Sequence, residues 1–183
     1  MKWLARALPI GGTFVDIGAN FGFFTLAAAR RQARTLAIEP NPVLFERLTA
    51  NLGLNALDGV LTRQVACGAR EGAARLAHAR DMGGGHISEG DEPGGYDVPM
   101  RPLAALVAEA GFAAIDLLKI DIEGYEDRVL IPFLRQAPEA LRPASILTEH
   151  SSRHLWTDDL MAELAAGGYR VAAKSRGNLW LRR

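Results

Sequence analysis

The 183-residue sequence predicts a doubly wound α/β fold, and three observations carry that prediction. Short, nearly continuous apolar runs alternate with amphipathic stretches, the pattern of a parallel sheet covered on both faces. The first apolar run breaks at a glycine and opens into a helical stretch. The last two runs are joined only by Ser175-Arg176-Gly177, which marks an antiparallel edge hairpin.

The elements follow in order. Thr13-Phe14-Val15-Asp16-Ile17 reads as a buried strand that ends in glycine. From Gly22 to Arg31, Phe23, Leu26 and Ala27 recur at helical spacing. Thr35-Leu36-Ala37-Ile38-Glu39 is a second strand, closed by Pro40-Asn41-Pro42, and Val43 to Leu52 is a helix. Val60 to Cys67 reads as one third strand, and Gly72 to Ala79 as a further one. Asp81 to Gly95 holds six glycines and little apolar content, so it is loop. A helix over Leu103 to Ala110 stops at Gly111. Ile115 to Ile122, the most apolar run, is the fourth strand, followed by a helix from Tyr125 to Leu134. Ser145 to Thr148 is the fifth strand and Thr157 to Ala166 a helix closed by Gly167-Gly168. Tyr169 to Ala173 and Asn178 to Leu181 form the edge hairpin.

Composition bounds what such a chain does. Apolar residues make up 49% and charged residues 23%, enough for one sizeable core. A single domain over residues 1–183 with a short leader, 1–11, is expected. Zero formal net charge gives no general electrostatic case for a nucleic-acid partner. The basic end from Arg170 on (Arg170, Lys174, Arg176, Arg182 and Arg183) reads as a solvated face. The lone Cys67 excludes an internal disulfide and suits a reducing cytoplasm. Met1 to Ile10 is interrupted by Arg6 and Pro9, unlike a signal peptide, and no stretch reads as a membrane span. The expected location is cytoplasmic; a homo-oligomer is left open.

In open α/β sheets, ligands bind at the carboxyl ends of strands where strand order reverses. The first strand's end carries Asp16-Ile17-Gly18-Ala19-Asn20-Phe21-Gly22. Gly18 permits a sharp turn and close approach, Asn20 tolerates left-handed backbone, and Gly22 allows tight packing where the helix begins. A dinucleotide loop has a glycine where Asn20 stands, because pyrophosphate needs bare backbone N–H groups around it. Asn20, with Asp16 before the turn, suits instead a cofactor bearing a carboxylate and an ammonium but no phosphate. Glu39, 21 residues beyond Gly18, stands where an acid accepts hydrogen bonds from both ribose hydroxyls. Together the two parts point to an adenosine-containing cofactor.

Three blocks, Asp16-Ile17-Gly18-Ala19-Asn20-x-Gly22, Ile38-Glu39-Pro40-Asn41-Pro42 and Leu117-Leu118-Lys119-Ile120-Asp121-Ile122-Glu123-Gly124-Tyr125-Glu126, resemble the signatures of the FkbM-type methyltransferases. The resemblance covers roughly residues 12 to 150. It implies a class I, Rossmann-like methyltransferase fold with a mostly parallel seven-stranded sheet. It also implies S-adenosylmethionine as cofactor and O-methylation of a hydroxyl on a small molecule or glycan. By the same resemblance Asp16, Gly18, Asn20 and Gly22, with Ala19 and Phe21 between them, would hold the methionine part. Glu39 and Pro40 would take the ribose side, Ala66 and Cys67 would flank adenine, and Asp121 would lie by the methyl group.

Strand alternation puts Lys119 and Asp121 on one face, with Glu123 continuing past the strand end. An unpaired ammonium in a buried strand costs several kcal/mol, so Lys119 is expected to pair with Asp121 or Glu123. The group reads either as a structural ion pair or as a polar wall in which Asp121 or Glu123 orients the acceptor. His150, just past the fifth strand, is a further candidate general base by chemistry. Asp121, Glu149 and His150 include metal-ligand types, but their spacing requires no metal. His86 in the glycine-rich loop could close over a substrate; His78 and His154 have no constellation. Trp156 and Trp180 read equally as packing or as stacking platforms.

Two other classes compete. One is a cofactor-binding domain that is catalytically weak or needs a partner subunit. The other is a nicotinamide oxidoreductase, which Asn20 and the Lys119-to-Gly124 block argue against.

Overall fold

The computed structural model describes residues 2–77, 87–88 and 95–183. Most of the expected glycine-rich loop, with His78 and His86, lies outside the described residues.

In chain order the strands are β1 (Thr13–Ile17), β2 (Arg34–Ile38), β3 (Leu61–Arg63), β4 (Ala66–Gly68), β5 (Gly72–Leu76), β6 (Ile87–Ser88), β7 (Tyr96–Pro102), β8 (Leu117–Ile120), β9 (Ser145–Glu149), β10 (Arg170–Lys174) and β11 (Asn178–Arg182). The helices are α1 (Lys2–Ala7), α2 (Phe23–Ala29), α3 (Pro42–Leu54), α4 (Leu103–Glu109), α5 (Glu126–Gln136) and α6 (Leu160–Ala166). Seven strands form one sheet in the order β10-β11-β9-β8-β1-β2-β3. β3, β2, β1, β8 and β9 run parallel, and β11 and β10 close the edge antiparallel. The class I, Rossmann-like α/β fold with its antiparallel edge hairpin is thus as expected. Strand order reverses at β1, between β2 and β8, which fixes the ligand crevice above their carboxyl ends.

Helices cover both faces. On one, residues of α4, α5 and α6 bury Val15, Ile17, Leu118, Ile120 and Ile146. On the other, Ala28 of α2 packs with Phe14, Leu117, Leu147 and Trp180, while Leu48 and Leu52 of α3 cover Ala37. The leader contributes too: Leu4 and Leu8, at 2% and 1% exposure, join the α2 layer.

The third strand is not one strand. Residues 61–63 stay in the main sheet, the chain bends at Val65, and Ala66–Gly68 pairs with β7 in a second, four-stranded sheet, β4-β7-β5-β6. Apolar content on either side of Thr62-Arg63-Gln64 conceals that break. The sequence reading assigns residues 96–102 no element, yet they form β7, although proline is uncommon inside a sheet. Pro99 is nevertheless held opposite Ala73 in β5. Among the described residues no helix is long and apolar enough to cross a membrane.

Candidate functional site

The loop after β1 achieves its turn with three left-handed residues: Gly18 (φ 71°), Asn20 (φ 54°) and Gly22 (φ 97°). A Cβ on Gly18 would fall on the Asp121 carbonyl oxygen, so the ends of β1 and β8 touch through a bare backbone. One on Gly22 would meet Leu48 Cδ1 at 2.7 Å, which explains why α2 begins on glycine.

Glu39 fixes this loop from the neighbouring strand. Its Oε2 accepts the Asn20 N–H at 2.7 Å and its Oε1 the Asn41 N–H at 3.0 Å. Asn41 in turn caps α3, its Oδ1 accepting from Val43 N–H (3.0 Å) and Leu44 N–H (3.3 Å). Glu39 is 5% exposed, and burial holds its carboxyl above the ordinary carboxylate range against the lowering effect of the two backbone bonds and of Lys119.

Asp16 and Lys119 stand directly opposite in the β1–β8 register. Lys119 Nζ lies 3.4 Å from Asp16 Oδ1 and 4.0 Å from Asp121 Oδ2, and it donates to the Gly18 carbonyl at 2.6 Å. Lys119 thus meets the expected Asp121, but its nearest carboxylate is Asp16, which the sequence did not offer as a partner. The reason is geometric: cross-strand neighbours lie about 4.8 Å apart, whereas same-face neighbours on one strand are about 6.6 Å apart. Asp16 is fully buried, and its Oδ2 accepts from Thr25 Oγ1 at 2.6 Å. Its carboxylate thus lies beneath the loop, against Lys119 and Thr25.

Above these strands opens a pocket of about 270 Å³ that gathers Gly18, Ala19, Asn20, Phe21, Glu39, Pro40, Lys119, Asp121 and Glu123. A tighter recess of about 20 Å³ shares Gly18, Pro40 and Ile122 with it and is otherwise apolar, lined by Ile38, Ala66 and Cys67 among others. Burial pushes the Cys67 thiol up to about 12, so it behaves there as a small apolar group. Asp121 has 37% of its side chain exposed, and Glu123, in left-handed conformation (φ 55°), is exposed. His150 is apart from this group. Its N–H donates to Gly177 O at 2.9 Å, and its side chain lines a separate cavity. Asp121, Glu149 and His150 do not converge: among the described residues no three His, Cys, Asp or Glu side chains are arranged to hold a metal ion.

Sequence reasoning gave no role to Thr25, Glu126 or Asp127. Glu126, fully buried, accepts from Ile122 N–H (3.0 Å) and Gly124 N–H (3.3 Å), and its other oxygen accepts from Trp156 Nε1 (2.8 Å). It therefore fixes the turn that presents Asp121 and Glu123. Asp127 Oδ2 takes the backbone N–H groups of Thr157 (2.7 Å) and Asp158 (3.0 Å). Acids at the start of α5 are the available signal, since that helix end favours negative charge.

The sequence matches the methyltransferase FkbM domain over residues 16–171. The chain belongs to the FkbM methyltransferase family. The methyltransferase sdnD of Sordaria araneosa is 32% identical over 157 residues, 67% of this chain and 61% of that protein. The 31-O-demethyl-FK506 methyltransferase FkbM of Streptomyces tacrolimicus is 33% identical over 153 residues, 66% and 58% of the two chains. An arginine N(omega)-methyltransferase of Streptomyces achromogenes subsp. streptozoticus is 27% identical over 181 residues, 94% and 41% of the two. The FkbM-family chain spans about three fifths or less of the length of these curated relatives. Among solved structures, an rRNA methylase from Streptococcus thermophilus superposes with TM-score 0.57 at 9% identity, covering 100% of this chain and 92% of that one. The precorrin-6y C5,15-methyltransferase of Geobacter metallireducens gives 0.56 at 13% identity, covering 98% and 86%. These two share the fold with the FkbM-family chain.

Proposed function

We propose that this chain is a methyltransferase that uses S-adenosylmethionine to methylate a hydroxyl on a small molecule or glycan, as one domain over residues 1–183. The observation that carries this reading is the meeting of the 18–22 loop, Glu39 and Asp121 around one pocket with an apolar recess beside it. The residues fit the cofactor. Glu39 keeps free lone pairs beyond its two backbone bonds, the number two ribose hydroxyls need. The apolar residues Ile38, Ala66 and Cys67 beside the pocket would face a flat, uncharged base. Gly18 to Gly22 would run beside the methionine portion, with Asp16 supporting the loop from below through Lys119.

When bound, S-adenosylmethionine supplies a methyl group already activated on a sulfonium. The chain's task is then to align the acceptor and take its proton as the new C–O bond forms and the S–C bond breaks. Asp121 is assigned that proton. It lines the pocket, is partly open to solvent, and its Oδ2 stands 4.0 Å from the Lys119 ammonium. Lys119 is a positioning residue, because its Nζ is engaged by Gly18 O and Asp16. Glu123 borders the same pocket and would orient the acceptor. His150, lining another cavity, is not assigned the proton.

A second reading has its own support. Asp121, Glu123 and Glu126 surround Glu149 with like charge, which together with burial holds its carboxyl above the ordinary range. That field also suits a cationic nitrogen acceptor, and one relative is an arginine N-methyltransferase. Methyl-labelled S-adenosylmethionine offered with sugar and polyketide alcohols, and separately with guanidines, tests both. Label on an alcohol, reduced about 100-fold in Asp121→Asn, supports the first reading. Label on guanidines alone overturns it.

A further inference from the structure

His150 leads into a cavity of about 180 Å³ formed by the chain after β9, by α6 and by the β10–β11 hairpin. Trp156, Met161, Val171 and Leu179 give it apolar walls. His150, Arg153 and Lys174 complete the lining, almost wholly through their carbon atoms, so the charged ends of Arg153 and Lys174 belong to the rim rather than to the interior. Among the described residues none of these three side chains makes an ion pair or a hydrogen bond, and His150 Nε2 is enclosed without a partner. Two unpaired cations beside an apolar cavity select a negative group attached to an apolar body.

The cavity lies beside the transfer pocket. Thr148 pairs with Ile120 in the β8–β9 register, so His150 and Asp121 both stand just past the same sheet edge. β11 follows β9 with Asn178 opposite Glu149, so the cavity begins one to two strands from Asp121, roughly 5–10 Å at strand spacing. Strand alternation sends Glu149 to the opposite face from His150 and keeps its charge away from the cavity. The wall between the two spaces is the turn at 150–156. It touches the pocket side where Leu155 packs on Gly124 and where Ser152 Oγ donates to Glu123 Oε2 at 3.5 Å. Trp156 is held in place by Glu126, the same carboxylate that fixes the Ile122–Gly124 turn. The ring is therefore already positioned before any ligand arrives.

We propose that this cavity is an anchoring subsite for the methyl acceptor, taking an apolar segment that carries a carboxylate or phosphate while the acceptor hydroxyl reaches Asp121. The proposal rests on the methyl-transfer reading and names the acceptor class it favours. The basic end of the chain, expected as a solvated face, thereby gives Lys174 a ligand.

The test uses the full chain and simple probes. Octanoate, octyl phosphate, octanol and inorganic phosphate are titrated by calorimetry, with the quenching of Trp156 fluorescence as a second readout and Trp156→Phe as its control. Octanoate or octyl phosphate should bind at least tenfold tighter than octanol, and inorganic phosphate should not bind. Arg153→Glu with Lys174→Glu should weaken the anionic probe at least tenfold. Met161→Trp, which fills the cavity while leaving the charges, should abolish it. S-adenosylhomocysteine affinity should stay within about twofold in the charge-reversal and cavity-filling variants, so loss of the probe cannot be mistaken for misfolding. Equal binding of octanoate and octanol, or binding indifferent to both the charge reversal and the filled cavity, overturns the proposal. Failure of S-adenosylhomocysteine to bind the unmodified chain would instead remove the cofactor reading, and the probe titrations would still judge the cavity.

Discussion

Replacing Lys119 by methionine isolates the ion pair beneath the loop. Methionine fills nearly the same volume, so the chief loss is the ammonium. Asp16, with no exposed surface, would retain only the Thr25 hydroxyl as a partner, and the Gly18 carbonyl would lose its 2.6 Å donor. Removing one member of a buried pair costs about 3–5 kcal/mol, because the charge left behind is neither solvated nor balanced. That is a large share of the roughly 5–15 kcal/mol that stabilises an ordinary domain. Urea unfolding followed by circular dichroism measures it. The double variant Asp16→Asn, Lys119→Met should recover about 2 kcal/mol or more of the loss. The amide oxygen still accepts from Thr25, and no buried charge remains. A single variant within about 1 kcal/mol of the parent, or a double variant no better than the single, refutes the buried-pair reasoning.

Five further outcomes are expected. Gly18→Ala should abolish cofactor binding and destabilise the fold, since its Cβ would collide with backbone at φ 71°; Gly53→Ala, in α3 with nothing within 4 Å, should stabilise by about 0.5–1 kcal/mol in the same denaturation assay. Asn41→Ala removes the cap of α3 and should cost about 1 kcal/mol by thermal unfolding. Tyr169→Phe leaves the buried Pro143 carbonyl without its 2.7 Å donor and should cost about 1 kcal/mol by urea midpoint. S-adenosylhomocysteine affinity should depend on pH through Glu39. Burial raises that carboxyl above its ordinary value, so the ionised acceptor that two hydroxyls require is present at neutral pH and lost as pH falls. The loss should begin at a higher pH than for an ordinary glutamate, and Glu39→Gln should show weak binding without that dependence.

The fold was largely legible because its strongest signals are local. Buried parallel strands read as apolar runs, and the Gly18-to-Gly22 turn needs residues that tolerate positive φ. Glu39 was legible because its distance from Gly18 is fixed by one β-loop-α-β unit. The break at Val65 and strand β7 were not, since which sheet a short strand joins depends on partners far along the chain. For the same reason one partner of Lys119 was missed: its own strand offered Asp121, which does pair with it, but register brought Asp16 closer. Glu126 was visible in the third block, but its bond to Trp156 spans 30 residues and nothing local announces it. His150 illustrates the reverse case. Its chemistry suited a base, and only the arrangement of strand ends sets it beside a different cavity.

The most direct test is a calorimetric titration of the unmodified chain and Glu39→Ala with S-adenosylhomocysteine, run beside NADH. One S-adenosylhomocysteine should bind per chain, at least tenfold more weakly in the variant, because hydrogen bonds to a charged group contribute about 1.5–3 kcal/mol and 1.4 kcal/mol is tenfold. NADH should give no heat of binding. Equal S-adenosylhomocysteine affinity in both proteins, or NADH bound more tightly than S-adenosylhomocysteine, would contradict the assignment of this pocket to the methyl donor.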